Sequence, residues 1–375
     1  MQFIVFFKIF VRDTNVTIES VRIKGNRPLN KTFNIVWMII SLLIYASVWI
    51  PPDKFWPAGF IAYTIPVVLL FNLFLFIWRL KNLQSDIIFP LIILLIGFGF
   101  IRDTISFHSS EPEGRIKLLT YNAKVFNLYN QNGRDTVSVG EMINWIKKQD
   151  ADILCFQEFY NDPASGHFNT VEQIQKIHNF HFFSSPSYVT KTGAEFGPII
   201  FSRFPIVNSG LLKFDENSQN NVIFTDLQIN GDTIRIYNMH LHSMHINEDM
   251  VMNSENFQEG FLDLTDRLKN GFIQRAQQIR TLKNHLNQQP FPVLVCGDLN
   301  DIPYSYAYHE LVDELNNGFV LQGNGFGFTF NGKIFFIRID HQFYSDHFNI
   351  HSFQVKRNLP YSDHFPVIAS YSLKD

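Results

Sequence analysis

The apolar positions along the chain follow two different patterns. Up to about residue 103 they form long uncharged runs: 21 residues between Lys31 and Asp53, 24 between Lys54 and Arg79, and 15 between Asp86 and Arg102. A helix needs roughly 20 apolar residues to cross a hydrocarbon core. The first two runs therefore predict transmembrane helices over about 33–51 and 56–78, with Trp37, Trp49, Trp56 and Trp78 near their ends as interfacial aromatics. The third, over about 86–102, spans only if its charged flanks lie at the interface. Residues 1–11 are apolar but broken by Lys8, and no small-residue cleavage site follows, so they read as an interfacial piece and not a cleaved signal peptide.

From Arg115 the runs become short and β-rich. Strands are predicted at Ile116–Tyr121, Asp152–Gln157, Pro198–Ser202, Val222–Leu227, Thr233–His240, Pro292–Gly297, Ile334–Tyr344 and Phe365–Tyr371. Helical periodicity appears over Val139–Lys148 and, at greatest length, over Leu262–Leu286. Strands outnumber helices, which fits two packed sheets with outer helices better than one doubly wound sheet. The division that follows is a membrane region, 1–103, and a globular domain, 104–375.

Charge sharpens this division. The whole chain is only 17% charged, against about 25% in ordinary soluble domains, which excludes a disordered protein. Residues 1–103 hold 10 Lys and Arg against 5 Asp and Glu; residues 104–375 hold 21 against 29. Lys8, Arg12, Arg22, Lys24, Arg27 and Lys31 precede the first run, Arg79 and Lys81 follow the second, and the loop between them offers only Lys54. The positive-inside rule then puts the N-terminus and the second loop in the cytoplasm. Three spans carry the domain outside, whereas two would leave it cytoplasmic. Two cysteines exclude a disulfide scaffold and a cysteine-built zinc site; Cys155 and Cys296, inside strands, read as core residues.

Polar residues collect where these strands end: Asn122, Glu158, His240, Asp298 and Asn300, Asp340, and Asp363 with His364. One such residue is an ordinary feature of a strand turning into a loop. Six such ends in one domain converge on one cleft if the sheets share a rim. Carboxylates with an amide are hard oxygen donors suited to Mg²⁺ or Mn²⁺, and imidazoles beside carboxylates supply acid–base groups near neutral pH. The sequence has no Gly-x-Ser-x-Gly elbow, no phosphate loop ending in Gly-Lys-Ser/Thr and no cysteine placed as a nucleophile. Hydrolysis by a metal-activated water remains.

The ordered motifs Thr120-Tyr-Asn122, Gln157-Glu158, Asn238-Met-His240-Leu, Gly297-Asp298-Leu-Asn300, Arg338-Ile-Asp340 and Ser362-Asp363-His364 resemble those of the endonuclease/exonuclease/phosphatase (DNase I-like) superfamily, in a membrane-anchored bacterial form. That group contains nucleases, inositol phosphatases and neutral sphingomyelinases. The resemblance covers about 114–375 and includes the Gly197-Pro-Ile-Ile-Phe-Ser-Arg-Phe-Pro stretch. It implies a four-layer α/β sandwich behind the transmembrane region, at the inner membrane of a bacterium. It also implies Glu158 as principal Mg²⁺ ligand with Asn122 beside it and Asp363 as a further carboxylate. His364, oriented by Asp340, would act on the water; His240 would bind a phosphoryl oxygen or protonate the leaving group. Asp298 and Asn300 would orient nucleophile and phosphate.

The sequence departs from the family pattern at His341, where an aromatic is usual. Residues 244–261 are open between a substrate-covering loop and an amphipathic helix, with packing expected from Leu262 onward. Phe326-Gly-Phe-Thr-Phe330 reads as strand packing, and Arg203 as a surface strand-end residue. Nuclease, lipid phosphodiesterase and phosphatase chemistries share this residue set. The acidic domain disfavours a nucleic-acid partner, and the bilayer tether favours a phosphoric ester near the membrane, phosphodiesters ahead of monoesters. The alternatives are a nuclease and a non-catalytic membrane-bound binding module, although no central group is missing.

Overall fold

The computed structural model describes residues 28–108, 114, 116–128, 136–214, 220–244 and 257–374, with backbone alone at 28–30 and 257–259. The expected interfacial piece at 1–11 lies outside these residues, as does most of the open segment, 245–256. Two compact units are present: Met1–Leu42 with Val68–Ile96, and Leu43–Val67 with Gly97–Asp375.

The helices of the N-terminal part are α1 (Pro28–Ala46), α2 (Pro57–Ala62), α3 (Ile65–Lys81), α4 (Ile88–Ile96) and α5 (Phe98–Thr104). Among the described residues, Lys31–Trp49 and Pro57–Lys81 are long and apolar enough to cross a membrane. A third crossing exists if Ser85–Ile96 and Phe98–Thr104, bent by 56°, count as one. Exposed Leu43, Val67, Leu70 and Phe74 leave apolar surface on these helices, which water would not favour. Within the first unit, buried Asn34, Arg79 and Asp86 satisfy one another: Arg79 Nη2 donates to Asn34 Oδ1 (2.6 Å) and Asn34 Nδ2 to Asp86 Oδ2 (2.9 Å). A buried charge survives by such pairing.

The second unit contains β1 (Ile116–Asn122), α6 (Thr136–Gln149), β2 (Ile153–Asn161), α7 (Thr170–His178), β3 (His181–Ser184), β4 (Glu195–Ser202), β5 (Ile206–Lys213), β6 (Asn221–Ile229) and β7 (Asp232–His240). After them come α8 (Phe257–Leu286), β8 (Val293–Asp298), α9 (Tyr306–Val312), β9 (Asp340–Tyr344), β10 (Phe348–Val355) and β11 (Val367–Leu373). One sheet runs β10-β11-β1-β2-β4-β3; the other runs β9-β8-β7-β6-β5, with the short strand Asn316–Asn317 outside β9.

Alternation along the strands makes the layers. Ile116 and Leu118 of β1 face inward with Ile223, Ile234, Ile236 and Leu294 of the other sheet. Leu119 and Tyr121, pointing the other way, pack with Val139, Met142 and Ile146 of α6 and Ile174 of α7. On the far side, Tyr237, Met239 and Val295 pack with Ala276, Ile279 and Leu282 of α8 and Leu311 of α9. A residue period of 2 in the strands thus gives each sheet two apolar faces, and the order helix, sheet, sheet, helix follows. This is the four-layer α/β sandwich of the DNase I-like fold.

Three expectations need correction. The strand expected from Ile334 begins only at Asp340, because Thr329 and Phe330 donate to Ile337 O and hold 330–337 as a loop. Phe326, Phe328 and Phe330 are in that loop region and not in a packed strand. Packing on α8 does not begin at Leu262, which is exposed like Phe261, but with Leu264 and, fully, Phe272. Cys155 and Cys296 are buried and free, in the core, and Arg203 pairs with Asp150 and Asp152.

Candidate active site

Strand register brings the site together. Parallel pairing of β7 with β8 sets Asp298 opposite His240, and antiparallel pairing of β8 with β9 sets Asp298 opposite Asp340. Residues from three separate stretches of sequence therefore form one row at the rim. The row depends on Gly297: at φ 129°, a Cβ there would lie 2.0 Å from the Met239 carbonyl oxygen, so only glycine allows the two strands this approach.

In the other sheet, β1 and β2 pair in parallel with Asn122 opposite Gln157. The β2–β4 ladder shifts register between Phe156 and Phe159, and Glu158 sits in that irregularity with φ 47°. A bulge re-aims a side chain, and a non-glycine residue held in the left-handed region stores about 1–3 kcal/mol at sites where surroundings over-determine it. Asn300, at φ 53°, is a second such residue.

The side chains then meet. Asn122 Nδ2 lies 3.3 Å from Glu158 Oε1 and 3.1 Å from Asp298 Oδ2. Asn300 donates its backbone N–H to Asp298 Oδ1 (2.8 Å) and its amide to the Leu241 carbonyl (2.9 Å). His364 Nδ1 contacts Asp340 Oδ2 at 2.9 Å, and its Nε2 faces Asp298 Oδ2 at 3.7 Å. Asp340 is fixed in turn by its own N–H bonding Thr329 Oγ1. His240 Nε2 lies 3.8 Å from both Glu158 and Asp298, is buried, and makes no hydrogen bond. Asp363, partly exposed, pairs with Lys124 at 2.8 Å.

Burial pushes the Asp298 carboxyl up to about 6; the nearby Asp340 charge adds to this and the imidazoles of His364 and His240 oppose it. Burial acts on His364 in the opposite sense to its neighbours. Desolvation lowers it, but the charges of Asp340 and Asp298 and the Asp340 hydrogen bond outweigh that and raise it to about 10. At neutral pH, His364 carries a proton.

All eight predicted site residues lie on this rim, in two groups. Asp298, Asp340 and His364 place ligand atoms within 4.8 Å of one another. Asn122 and Glu158 adjoin Asp298, and Asp363 is turned to Lys124. The donor set suits a hard divalent cation: Glu158 offers a carboxylate with about a third of its side chain exposed, and the unpartnered His240 Nε2 points at the same space. Asp298, Asp340 and His364 also gather donors suited to a metal ion, so Asp298 joins the two groups.

Several contributors were not foreseen. Lys124 follows the Thr-Tyr-Asn motif by two positions, where a surface lysine is unremarked. Ser362 Oγ bonds the Asn122 carbonyl (2.8 Å), joining the two ends of the site. Beneath it, Gln157 Nε2 donates to Asn238 Oδ1 (2.6 Å), and the Asn238 amide donates to Phe156 O and Ile199 O, tying the sheets together. Amides inside apolar strands were the available signal, since a buried polar group needs partners. His341, the departure from pattern, is buried and stacked on Phe343.

The site opens into a cavity of about 960 Å³, at the upper end of ligand-pocket sizes. Glu158, Asp298, Asn300, Asp363 and His364 line one part. The rest is walled mostly by apolar residues, among them Tyr63 and Pro66, Leu264 and Leu268, and Phe326, Phe328 and Phe330. Phe326 and Phe328 stack at 5.2 Å, and the Phe330 ring meets His364 edge-on at 5.6 Å.

Comparison with known proteins agrees with this geometry. A model described as the endonuclease/exonuclease/phosphatase family matches residues 119–364, and one described as a domain of unknown function matches residues 28–104. No curated protein matches the chain. An endonuclease/exonuclease/phosphatase family protein from Leptotrichia buccalis is similar in structure (TM-score 0.51, 15% identity, 69% of this chain and 100% of that one). So is the catalytic domain of human nocturnin with bound sulfate (TM-score 0.51, 19% identity, 73% and 98%). An endonuclease/exonuclease/phosphatase from Bacteroides vulgatus gives 0.50 at 17% identity over 69% and 99%. At these identities the structural likeness speaks for the fold alone. The family match covers more than half of the chain and includes every rim residue, so this protein belongs to the endonuclease/exonuclease/phosphatase family, whose members hydrolyse phosphoester bonds.

Proposed function

We propose that this is a membrane-anchored, Mg²⁺-dependent phosphoric-ester hydrolase that acts on phosphodiesters, lipid head groups among them, from the extracytoplasmic face. The observation that carries the reading is the row His240–Asp298–Asp340 with His364 and Glu158 closed around it. No serine, threonine, cysteine or lysine stands in that row, which supports water as the attacking group.

Asn122, Glu158 and Asp363 would hold the cation, which when bound offsets phosphate charge and acidifies water. Asp340 grips His364 Nδ1 and leaves Nε2 as the working atom. The carboxylates on both sides of that imidazole support a donor role toward a phosphoryl oxygen. Asp298, held by Asn300, then takes the proton as the water oxygen attacks phosphorus. The bond to the leaving oxygen breaks, and His240, whose Nε2 makes no hydrogen bond, supplies its proton.

Packing inside the second unit supports the external placement of the domain. Asp53, in the loop between the first two spans, forms a bidentate pair with Arg280 of α8 at 2.8 and 2.9 Å. Tyr63 Oη donates to Asp301 Oδ1 at 2.6 Å. A loop and a domain in contact lie on one side of a membrane, and the chain between them crosses an even number of times. That supports counting the bent third run as a span and, with the cytoplasmic N-terminus, an external domain. The test of the activity uses the full chain in lipid nanodiscs with bis(4-nitrophenyl) phosphate, 4-nitrophenyl phosphate and plasmid DNA. Diester turnover that stops with EDTA and returns with Mg²⁺ is expected; turnover of DNA alone, or none that depends on a metal, would overturn the reading.

A further inference from the structure

The apolar part of the cavity has no role in hydrolysis as described, and its construction is unusual. Its walls come from three places far apart in sequence. Tyr63 and Pro66 lie in the first half of the second candidate span, at the break between α2 and α3. Leu264 and Leu268 are one turn apart on a single face of α8. Phe326, Phe328 and Phe336 come from the loop before β9, where Phe326 and Phe336 remain about half exposed although they face this space. The polar end of the same cavity is the catalytic row. Apolar surface left open to water is unfavourable by about 25 cal/mol per Å², so a cavity that is mostly apolar, with Asp103, Asp301, Lys333 and Arg338 also among its lining, and joined to a phosphate site calls for an amphiphilic occupant.

We infer that this cavity holds the hydrocarbon chain of a membrane lipid, drawn out of the bilayer beside Tyr63 and Pro66, while the lipid's phosphate ester sits at Glu158, Asp298 and His364. The inference rests on the hydrolase reading and adds chain recognition to it: the enzyme selects an ester by its chain, inside the protein, and not merely by its presence at a membrane surface. Two features favour a lipid over a soluble apolar ester. One wall is built by a membrane-entering segment, and the continuity of cavity and active site matches a molecule with a charged end and an apolar end. The bidentate Asp53–Arg280 pair and the Tyr63–Asp301 hydrogen bond hold that wall against the domain, so the cavity is a fixed part of the unit.

The test compares methyl, butyl and octyl 4-nitrophenyl phosphate, all below their aggregation limits, with the full chain in nanodiscs and Mg²⁺. kcat/KM is expected to rise about tenfold from methyl to octyl, a fraction of what full burial of the added methylenes would give. Leu268→Trp fills the cavity from α8 and should bring the octyl-to-methyl ratio back toward one; Leu264→Trp is a second plug on the same face should the first fail to fold. A flat series in the wild type would overturn the inference, as would a rising series that neither plug alters, since enrichment in the bilayer would then account for it. If no ester turns over, the hydrolase reading fails, and the cavity is judged by calorimetric binding of octyl against methyl phosphate. Binding about tenfold tighter for the octyl form upholds the cavity; equal or absent binding removes it.

Discussion

The floor and the wall of the same cleft are built on opposite principles. The floor consists of strand ends: His240, Asp298 and Asp340 are set side by side by backbone register, with Asp298 held by the Asn300 N–H and Asp340 by His364. The wall consists of a loop, a helix face and an irregular segment, held together by side-chain contacts such as Tyr63–Asp301 and Arg275–Asp301. A floor made of ladder hydrogen bonds can hold reacting groups to the tolerance chemistry needs. A wall of apolar side chains tolerates repacking and sets which molecule enters. The proposed function and cavity occupant accordingly assign chemistry to the floor and selection to the wall.

Substitutions can break this division, and the largest effect is expected at the floor. Glu158→Gln keeps the shape and removes the charge of the proposed principal cation ligand. It should lower kcat/KM by about 10³-fold or more for every ester in the series alike, with little change in thermal stability. A loss confined to long-chain esters would place Glu158 with the wall.

An intermediate effect is expected where wall meets floor. Tyr63→Phe removes the hydrogen bond to Asp301, the residue after Asn300. A hydrogen bond to a charged group contributes about 1.5–3 kcal/mol, and Arg275 still holds the other oxygen of Asp301 at 2.7 Å. Thermal unfolding should report destabilisation toward the lower end of that range, and activity on the methyl ester should fall less than tenfold. An unchanged melting temperature would mean that the start of the second span is not fastened to the loop that carries Asp301.

The smallest effect concerns pH and the fastening of the same segment. His309 on α9 packs against Trp49 and Phe100, with ring centroids at 6.0 and 5.5 Å, and burial lowers its imidazole to about 4. The unfolded chain binds a proton below about 6.5 while the folded one resists until about 4. The unfolded state thus holds more protons in that window, and this residue's contribution falls as pH drops from about 6.5 to 4 and is constant above it. His309→Phe should flatten the decline in melting temperature across that interval. An identical pH profile in the variant would show that His309 is protonated in the folded protein.

Much of the floor was legible in the sequence because strands declare themselves locally. An apolar run that stops at Asn122, His240 or Asp298 identifies both the element and the end at which its polar residue stands, whereas the strand of Glu158 continues to Asn161. The alternation also predicted two sheets under outer helices. What failed was the reading of Ile334–Ile339 as strand. The run is apolar enough, but its partner is its own preceding turn at Thr329, a contact that periodicity does not reveal. Phe326, Phe328 and Phe330 were misread for the same reason: aromatics suit a strand and a cavity wall equally. Ser362 stands in the Ser-Asp-His motif without a role that the motif names, and Lys124 carries no distinguishing pattern at all.

By itself, then, the sequence determined the apolar runs long enough to cross a bilayer, the strand-rich domain after them, and the residue types of a metal-assisted hydrolase. These are properties of composition and short-range period, set by hydrophobicity and backbone geometry within a few residues. Tertiary structure alone decided that Asp298 stands beside both His240 and Asp340, that Glu158 turns out of its ladder at a bulge, and that Tyr63, Leu268 and Phe328 enclose one cavity. Those groups are tens to hundreds of residues apart along the chain. Their meeting depends on strand register and on which faces find each other in the core, quantities that no local window of sequence contains.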